Sequence, residues 1–197
     1  TQCSSGQAQN MSGRTYCIPC MPGRYENQLG QLSCNACQPG TFGAAAGQVS
    51  DAAGCSACDT GRFQNQEGMT SCVACPAGKH GATDGAKNLQ SSACTNCGAG
   101  KYSSAGGVED EDGCNDCAPG RYSTLTGQTS AIGCESCLAG QFQNASGQSG
   151  CRSCLPGFYA KDSGSIKCIA CPPGEYASAH ASETCTDCPQ GYFQPSS

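Results

Sequence analysis

The feature that most constrains this chain is a pair of cysteines separated by two residues, which returns from one end to the other. In "CIPCMPGRYENQLGQLSC", residues 17–34, the pair Cys17 and Cys20 runs straight into the next pair, Cys34 and Cys37. The second cysteines fall at Cys20, Cys37, Cys58, Cys75, Cys97, Cys117, Cys137, Cys154, Cys171 and Cys188, and Cys3 stands in the same frame without a visible first partner. Successive steps are 17, 17, 21, 17, 22, 20, 20, 17, 17 and 17 residues. A period of this size marks a tandem array in which one small unit is stacked many times.

Other residues keep the frame. A glycine stands three residues after each of the eleven cysteines, from Gly6 to Gly191. Two residues further comes an aromatic in nine of the eleven cases: Tyr25, Phe42, Phe63, Tyr102, Tyr122, Phe142, Tyr159, Tyr176 and Phe193, with Ala8 and His80 as exceptions. Ten residues after the cysteine a second glycine appears in nine of the ten complete units, and Ala181 replaces it in the last. The unit reads C-x-x-G-x-[FY]-x-x-x-x-G-x-x-x-C-x-x-C, with all variation in length after the second glycine.

Such a unit has little apolar material. Leu, Ile, Val and Phe number 18 of 197 residues, too few for an ordinary core, whereas 21 cysteines exceed the level of a disulfide scaffold. Cross-links must replace the missing core, which implies an oxidising compartment. No apolar stretch approaches the roughly 18 residues of a membrane helix, and no charged-then-apolar leader opens the chain, so a soluble segment without membrane insertion is expected. A net charge of −5 with ten Lys and Arg argues against nucleic acid as a partner.

Three uses of the paired cysteines compete. Zinc is one, because successive C-x-x-C pairs overlap the spacing of four-cysteine sites. A zinc array, however, takes pairs two by two, whereas every interval here carries the same pattern. A thioredoxin-type redox pair sits singly beside a helix, and nothing here has helical periodicity. Disulfides fit the monotony. If each second cysteine bonds the first cysteine of the next pair, every loop encloses one complete unit: Cys3 with Cys17, Cys20 with Cys34, Cys37 with Cys55, Cys58 with Cys72, and Cys75 with Cys94. The series continues as Cys97 with Cys114, Cys117 with Cys134, Cys137 with Cys151, Cys154 with Cys168, and Cys171 with Cys185. Loops of this size contribute about 3 kcal/mol each by restricting the unfolded chain. Cys188 is left unpaired in this window; the frame puts its partner beyond Ser197, so the array is expected to continue past both ends.

Each unit then predicts a hairpin: a short strand at the aromatic, a polar turn ending on a glycine of positive φ, and a return strand at the cysteines. Stacked units bury their aromatics against neighbouring disulfides and glycines, so the nine aromatics are read as repeat-stacking residues. The fold class expected is small, disulfide-rich and all-β: a linear solenoid of short β-hairpin repeats, an elongated rod with almost no helix. Residues 1–197 form one tandem array of about eleven repeats of 17–22 residues.

The stretches "CMPGRYENQLGQLSCNACQPGTF" and "CPPGEYASAHASETCTDCPQGYF" resemble the cysteine-rich repeats called ephrin-receptor-like, relatives of EGF-like and tumour necrosis factor receptor modules. The resemblance covers essentially the whole chain and implies an extracellular, disulfide-bonded, structural or adhesive role. Long uninterrupted arrays of this kind are typical of protist surface proteins, including ciliate surface antigens and mastigoneme filaments. Receptor relatives, which bind protein ligands, carry less regular modules.

Remaining features are weighed singly. Asn10-Met11-Ser12 and Asn144-Ala145-Ser146 are N-glycosylation sequons, each with its Asn seven residues after the framing cysteine. Val108 to Gly113, "VEDEDG", offers Glu109, Asp110, Glu111 and Asp112 but lacks the spaced ligands of a calcium loop, so no calcium and no cofactor other than glycans is expected. Basic residues precede the aromatic at Arg24, Arg62, Lys79, Lys101 and Arg121, an interrupted series read as ordinary surface. His80 and His180 are solitary, and no catalytic set recurs. The expected function is therefore that of a non-enzymatic extracellular structural protein, self-associating as the subunit of a glycosylated filament, coat or stalk. A receptor or adhesin ectodomain, or a ciliate-type surface antigen, is the alternative.

Overall fold

The computed structural model describes residues 2–82 and 90–191. Among them lie ten two-stranded sheets, one for each complete repeat. A strand at the aromatic pairs with the residues between the two cysteines of the next pair: Arg24–Tyr25 with Asn35–Ala36, and Arg121–Tyr122 with Glu135–Ser136. The return strand thus lies inside C-x-x-C itself. Nine hairpins close on a bond from the second cysteine to the first glycine, as in the Cys37 N–H to the Gly23 carbonyl at 2.9 Å. Strands of two residues are marginal alone, so the cross-links and neighbouring hairpins must hold them.

The second glycine ends the turn in the left-handed region, with φ from 69° at Gly147 to 79° at Gly13; Ala181 takes φ 57° in the same place. There an L side chain meets the following carbonyl oxygen, which explains the recurrence of glycine.

The chain divides into two compact units, one of Thr1–Thr95 with Ala105–Gly113 and the other of Asn96–Ser104 with Cys114–Ser197. Inside each, three backbone bonds join a hairpin to its successor. In the second unit the Gly147 N–H donates to the Cys117 carbonyl at 2.9 Å, Ser123 to Gln148 at 3.2 Å, and Gly120 to Gln143 at 2.7 Å. In the first, Gly30 donates to Cys3 at 2.9 Å, Gln9 to Gln31 at 3.1 Å, and Gly6 to Glu26 at 2.7 Å. These bonds satisfy backbone groups that a lone hairpin leaves open.

Contact also reaches the next hairpin but one. A Cβ built on Gly61 would lie 2.7 Å from the Val108 oxygen, and one on Gly120 would overlap the Gly164 oxygen. At Gly6, Gly23, Gly61, Gly100, Gly120 and Gly140 the glycine three residues after the cysteine is therefore a place where another repeat's backbone passes, closer than any side chain allows, whereas a Cβ on Gly157, Gly174 or Gly191 would meet nothing within 4 Å among the described residues.

The longer repeats accommodate their extra residues as helical turns. Asp51–Gly54 and Gln90–Ala93 form α-turns, and Glu111–Gly113 and Ala131–Gly133 form 3₁₀ turns. Ser50 caps the first, its hydroxyl accepting from the Ala53 N–H at 3.2 Å.

The interior is made of sulfur and of the residue after the aromatic. Nine of the second cysteines, Cys3 through Cys154, are buried, together with Glu26, Gln64, Ser103, Ser123, Gln143, Ala160 and Ala177. The nine aromatics expected to stack differ in burial. Phe63 is buried, clustered with Cys75, Ala93 and Cys94, but Tyr25, Phe42, Tyr102, Tyr122, Phe142, Tyr159 and Tyr176 are half-buried. Successive side chains on a strand face opposite ways, so when the following residue turns inward the aromatic turns toward the surface. Phe193 lies outside the described residues.

Candidate functional site

The joint between hairpins is the best-defined locus of the molecule. Ten disulfides link each second cysteine to the first cysteine of the next pair, from Cys3–Cys17 to Cys171–Cys185, with Cα atoms 5.5–6.0 Å apart. Those sulfurs are bonded to one another and hold no charge with which to ligate zinc. Cys188 is the free cysteine, half-buried.

Around four of the joints an inward polar side chain closes the turn, with Glu26, Gln64 and Gln143 buried and Gln9 half-buried. The Gln64 Oε1 accepts from the Gln66 N–H at 3.0 Å, and its Nε2 donates to the Ser71 carbonyl at 2.9 Å. Gln143 does the same with Ala145 at 3.2 Å and Gly150 at 2.9 Å, and Gln9 with Met11 at 3.0 Å and Tyr16 at 2.9 Å. Glu26 accepts from the Gln28 N–H at 2.9 Å and from the Asn35 Nδ2 at 3.2 Å. Every buried side-chain nitrogen and oxygen among the described residues has a partner, as a sulfur-rich interior requires. The sequence reading passed over this position, because Gln, Glu, Gly, Ser and Ala all occupy it. Its size matched against loop length is the signal that finds it.

The basic residues before the aromatic also act locally. Arg24 donates to the Cys34 carbonyl at 3.1 Å, Arg62 to Cys72 at 3.4 Å and Arg121 to Cys134 at 3.1 Å, each reaching across its own hairpin. Lys101 instead pairs with Asp116 at 2.9 Å. That contact holds the Asp116 carboxyl below the usual carboxylate range, helped by the Ser146 hydroxyl and opposed by partial desolvation. The Tyr122 hydroxyl donates to Glu135 at 3.1 Å, and the nearby carboxylate pushes the phenol's pKa up.

The other candidates do not converge. Asp110 caps the acidic insert's own turn, accepting from the Gly113 N–H at 3.1 Å. Among the described residues no three of His, Cys, Asp and Glu meet where they could hold a metal ion. His80 is buried, with Nδ1 2.9 Å from the Gly81 carbonyl, and His180 is exposed. Asn10 and Asn144 are both exposed in turns. Two recesses recur in equivalent places. One, about 400 Å³, is lined by Tyr102, Asp116, Ala118, Arg121, Ile132 and Cys134 among others. The other, about 270 Å³, is lined by Phe42, Asp59, Arg62, Ser71 and Cys72.

Tandem hairpins with an oxidised cystine at every joint define an extracellular type of cysteine-rich repeat. The family described as tyrosine-protein kinase ephrin type A/B receptor-like matches residues 6–52, 47–91, 127–165 and 140–182, well over half of the chain, and the chain belongs to it. That family is typical of non-catalytic extracellular modules and, with the disulfides, points to a secreted or surface location. No curated protein matches the chain. Among the described residues no helix is long and apolar enough to cross a membrane.

Proposed function

We propose that the chain is a structural part of a surface assembly, a cross-linked spacer that serves as the subunit of a filament, coat or stalk. One observation carries this reading: the residues that recur in every repeat are used to join hairpin to hairpin. The cysteines form the joints, the first glycine of six repeats admits the backbone of the hairpin after next, and the second ends the turn while its N–H bonds the previous repeat. Surface positions change from repeat to repeat, as a role carried by the scaffold permits.

Self-association follows from the repetition, since a weak lateral contact between two copies is presented again at each repeat and gains avidity. Light scattering on native material at rising concentration tests this. Mass growing with concentration supports a filament or coat, and a constant monomer mass would leave only the stalk or spacer.

A receptor or adhesin reading is favoured by the recess beside the Ala131–Gly133 turn, where Ile132 is 90 % exposed at its rim. An apolar side chain set out on an irregular repeat suits a contact with a protein partner.

A further inference from the structure

We propose that Asn10 and Asn144 carry N-linked oligosaccharide, and that the fold presents them through one hairpin frame, Gln-Asn-x-Ser-Gly. The frame is Gln9-Asn10-Met11-Ser12-Gly13 in one compact unit and Gln143-Asn144-Ala145-Ser146-Gly147 in the other. In both, the glutamine turns inward and closes the loop from inside: its Oε1 takes the N–H two residues on, and its Nε2 bonds a carbonyl seven residues on. The glycine ends the turn at φ 79° and 69°. With both ends of the turn held, the intervening Asn side chain faces solvent and enters none of the bonds that close the loop. A bulky substituent there disturbs no packing.

Two other hairpins supply the frame without the hydroxyl. Glu26-Asn27-Gln28-Leu29-Gly30 and Gln64-Asn65-Gln66-Glu67-Gly68 place an exposed Asn in the same turn, closed by the same inward side chain, with Leu29 and Glu67 where the sequon needs Ser or Thr. Asn27 and Asn65 are therefore internal controls that share the geometry and lack the acceptor chemistry.

The reaction needs a lipid-linked oligosaccharide diphosphate and the transferase that uses it, both of the eukaryotic secretory route. The anomeric C–O bond to the diphosphate breaks, a C–N bond to the Asn Nδ2 forms, the amide gives up one proton, and the lipid diphosphate leaves. In the folded chain the Ser146 hydroxyl donates to Asp116 at 3.2 Å, so transfer at Asn144 requires this one contact to open while the hairpin frame holds. The proposal rests on the secreted location in the proposed function.

The test is a peptide mass map of the whole chain secreted from a eukaryotic host, before and after the amidase that releases N-glycans and converts the linked Asn to Asp. Glycan is expected on Asn10 and Asn144 and absent from Asn27 and Asn65. Ser12→Ala and Ser146→Ala should each abolish one site, and Leu29→Thr and Glu67→Thr should each create one. Bare Asn10 and Asn144 in a secreted chain with its disulfides intact would overturn this proposal alone. A chain that stays reduced inside the cell would overturn the secreted location with it. Glycan on the native sites but not on the two installed ones would overturn the claim that the frame presents them.

Discussion

Six repeats close a loop in which the bonded cysteines stand 14 residues apart, and four close loops of 17 to 19. The residue after the aromatic divides the same way. In the short loops it is Gln9, Glu26, Gln64, Gln143, Ala160 and Ala177; in the long ones it is Gly43, Gly81, Ser103 and Ser123. Each Gln or Glu of the first group spans the turn by hydrogen bonds. Ala160 and Ala177 cannot, and there Ser165 and Ser182 bond the Asp162 and Ala179 carbonyls at 2.6 and 2.8 Å. In the two long loops that carry α-turns backbone takes that space. Gly54 and Ala93, at the ends of the two α-turns, are buried, and their carbonyls lie 3.7 Å from the sulfurs of Cys37 and Cys75. One interior volume is thus filled in two ways, by a side chain or by an inserted turn, and the joint beneath stays the same.

The sharpest way to break that comparison is to put a side chain where the turn already sits. A Cβ on Gly43 would stand 2.6 Å from the Gly54 oxygen and 2.9 Å from the Gly23 nitrogen. Gly43→Ala should therefore lower the opening free energy of the Cys37–Cys55 hairpin by about 2–3 kcal/mol through overpacking. Native-state hydrogen exchange read at Cys58 N–H, which bonds the Gly40 carbonyl, reports it locally, as a repeat array requires. Deleting Asp51–Gly54 shortens this loop from 18 to 14, and combined with Gly43→Gln it should restore most of the protection. Protection untouched by Gly43→Ala would end the volume argument.

The reciprocal change in a short loop is smaller. Gln64→Ala strands the Gln66 N–H and the Ser71 carbonyl, each without its partner at a part-buried site, and should cost about 1–3 kcal/mol in the Cys58–Cys72 hairpin. Glu26→Gln should be nearly neutral, because the amide oxygen still accepts from the Gln28 N–H and glutamine already fills this place in three other hairpins. Exchange at Cys75 and Cys37, whose N–H groups bond the Gly61 and Gly40-equivalent Gly23 carbonyls, separates the two outcomes. A loss in Glu26→Gln as large as that in Gln64→Ala would show that the Glu26 charge, and not the spanning bond alone, holds its hairpin.

Much of this was legible because spacing carries it. A strict frame of cysteine, glycine and glycine leads to hairpins with a left-handed residue at the turn, and Ala181 at φ 57° shows how strongly the frame imposes that backbone. The residue after the aromatic was passed over because hydrophobic residues are assumed to face inward, while a sulfur-lined interior accepts Gln64 at 2 % exposure and Ser103 at 1 %. The reason for the first glycine was hidden too: Gly120 meets Gly164, 44 positions along, and a local reading sees only the turn. Helical turns in the longer loops escaped because four residues are too few for helical periodicity to register.

The weakest expected effect lies in the long hairpin of Cys97–Cys114. Where Arg24, Arg62 and Arg121 reach a cysteine carbonyl, Lys101 reaches Asp116 on the return strand. The Asp116 carboxyl is held below its usual range, first by the Lys101 hydrogen bond. A depressed folded pKa means that the stabilisation is present above the unfolded value of about 3.9 and is lost as pH falls through the folded one. With side chains 26 % and 40 % exposed, solvent and salt screening leave less than about 1 kcal/mol. Exchange at the Cys117 N–H, bonded to the Gly100 carbonyl, should therefore be faster in Asp116→Asn than in the parent at about pH 6, and the two should converge as the parent's carboxylate protonates below about pH 4. Raising salt to about 1 M at the higher pH should narrow the gap as well. A gap that ignores both pH and salt would assign the loss to the Ser146 bond instead, and the long hairpin would then be tied to the next hairpin but one by that hydroxyl and not held by its own ion pair.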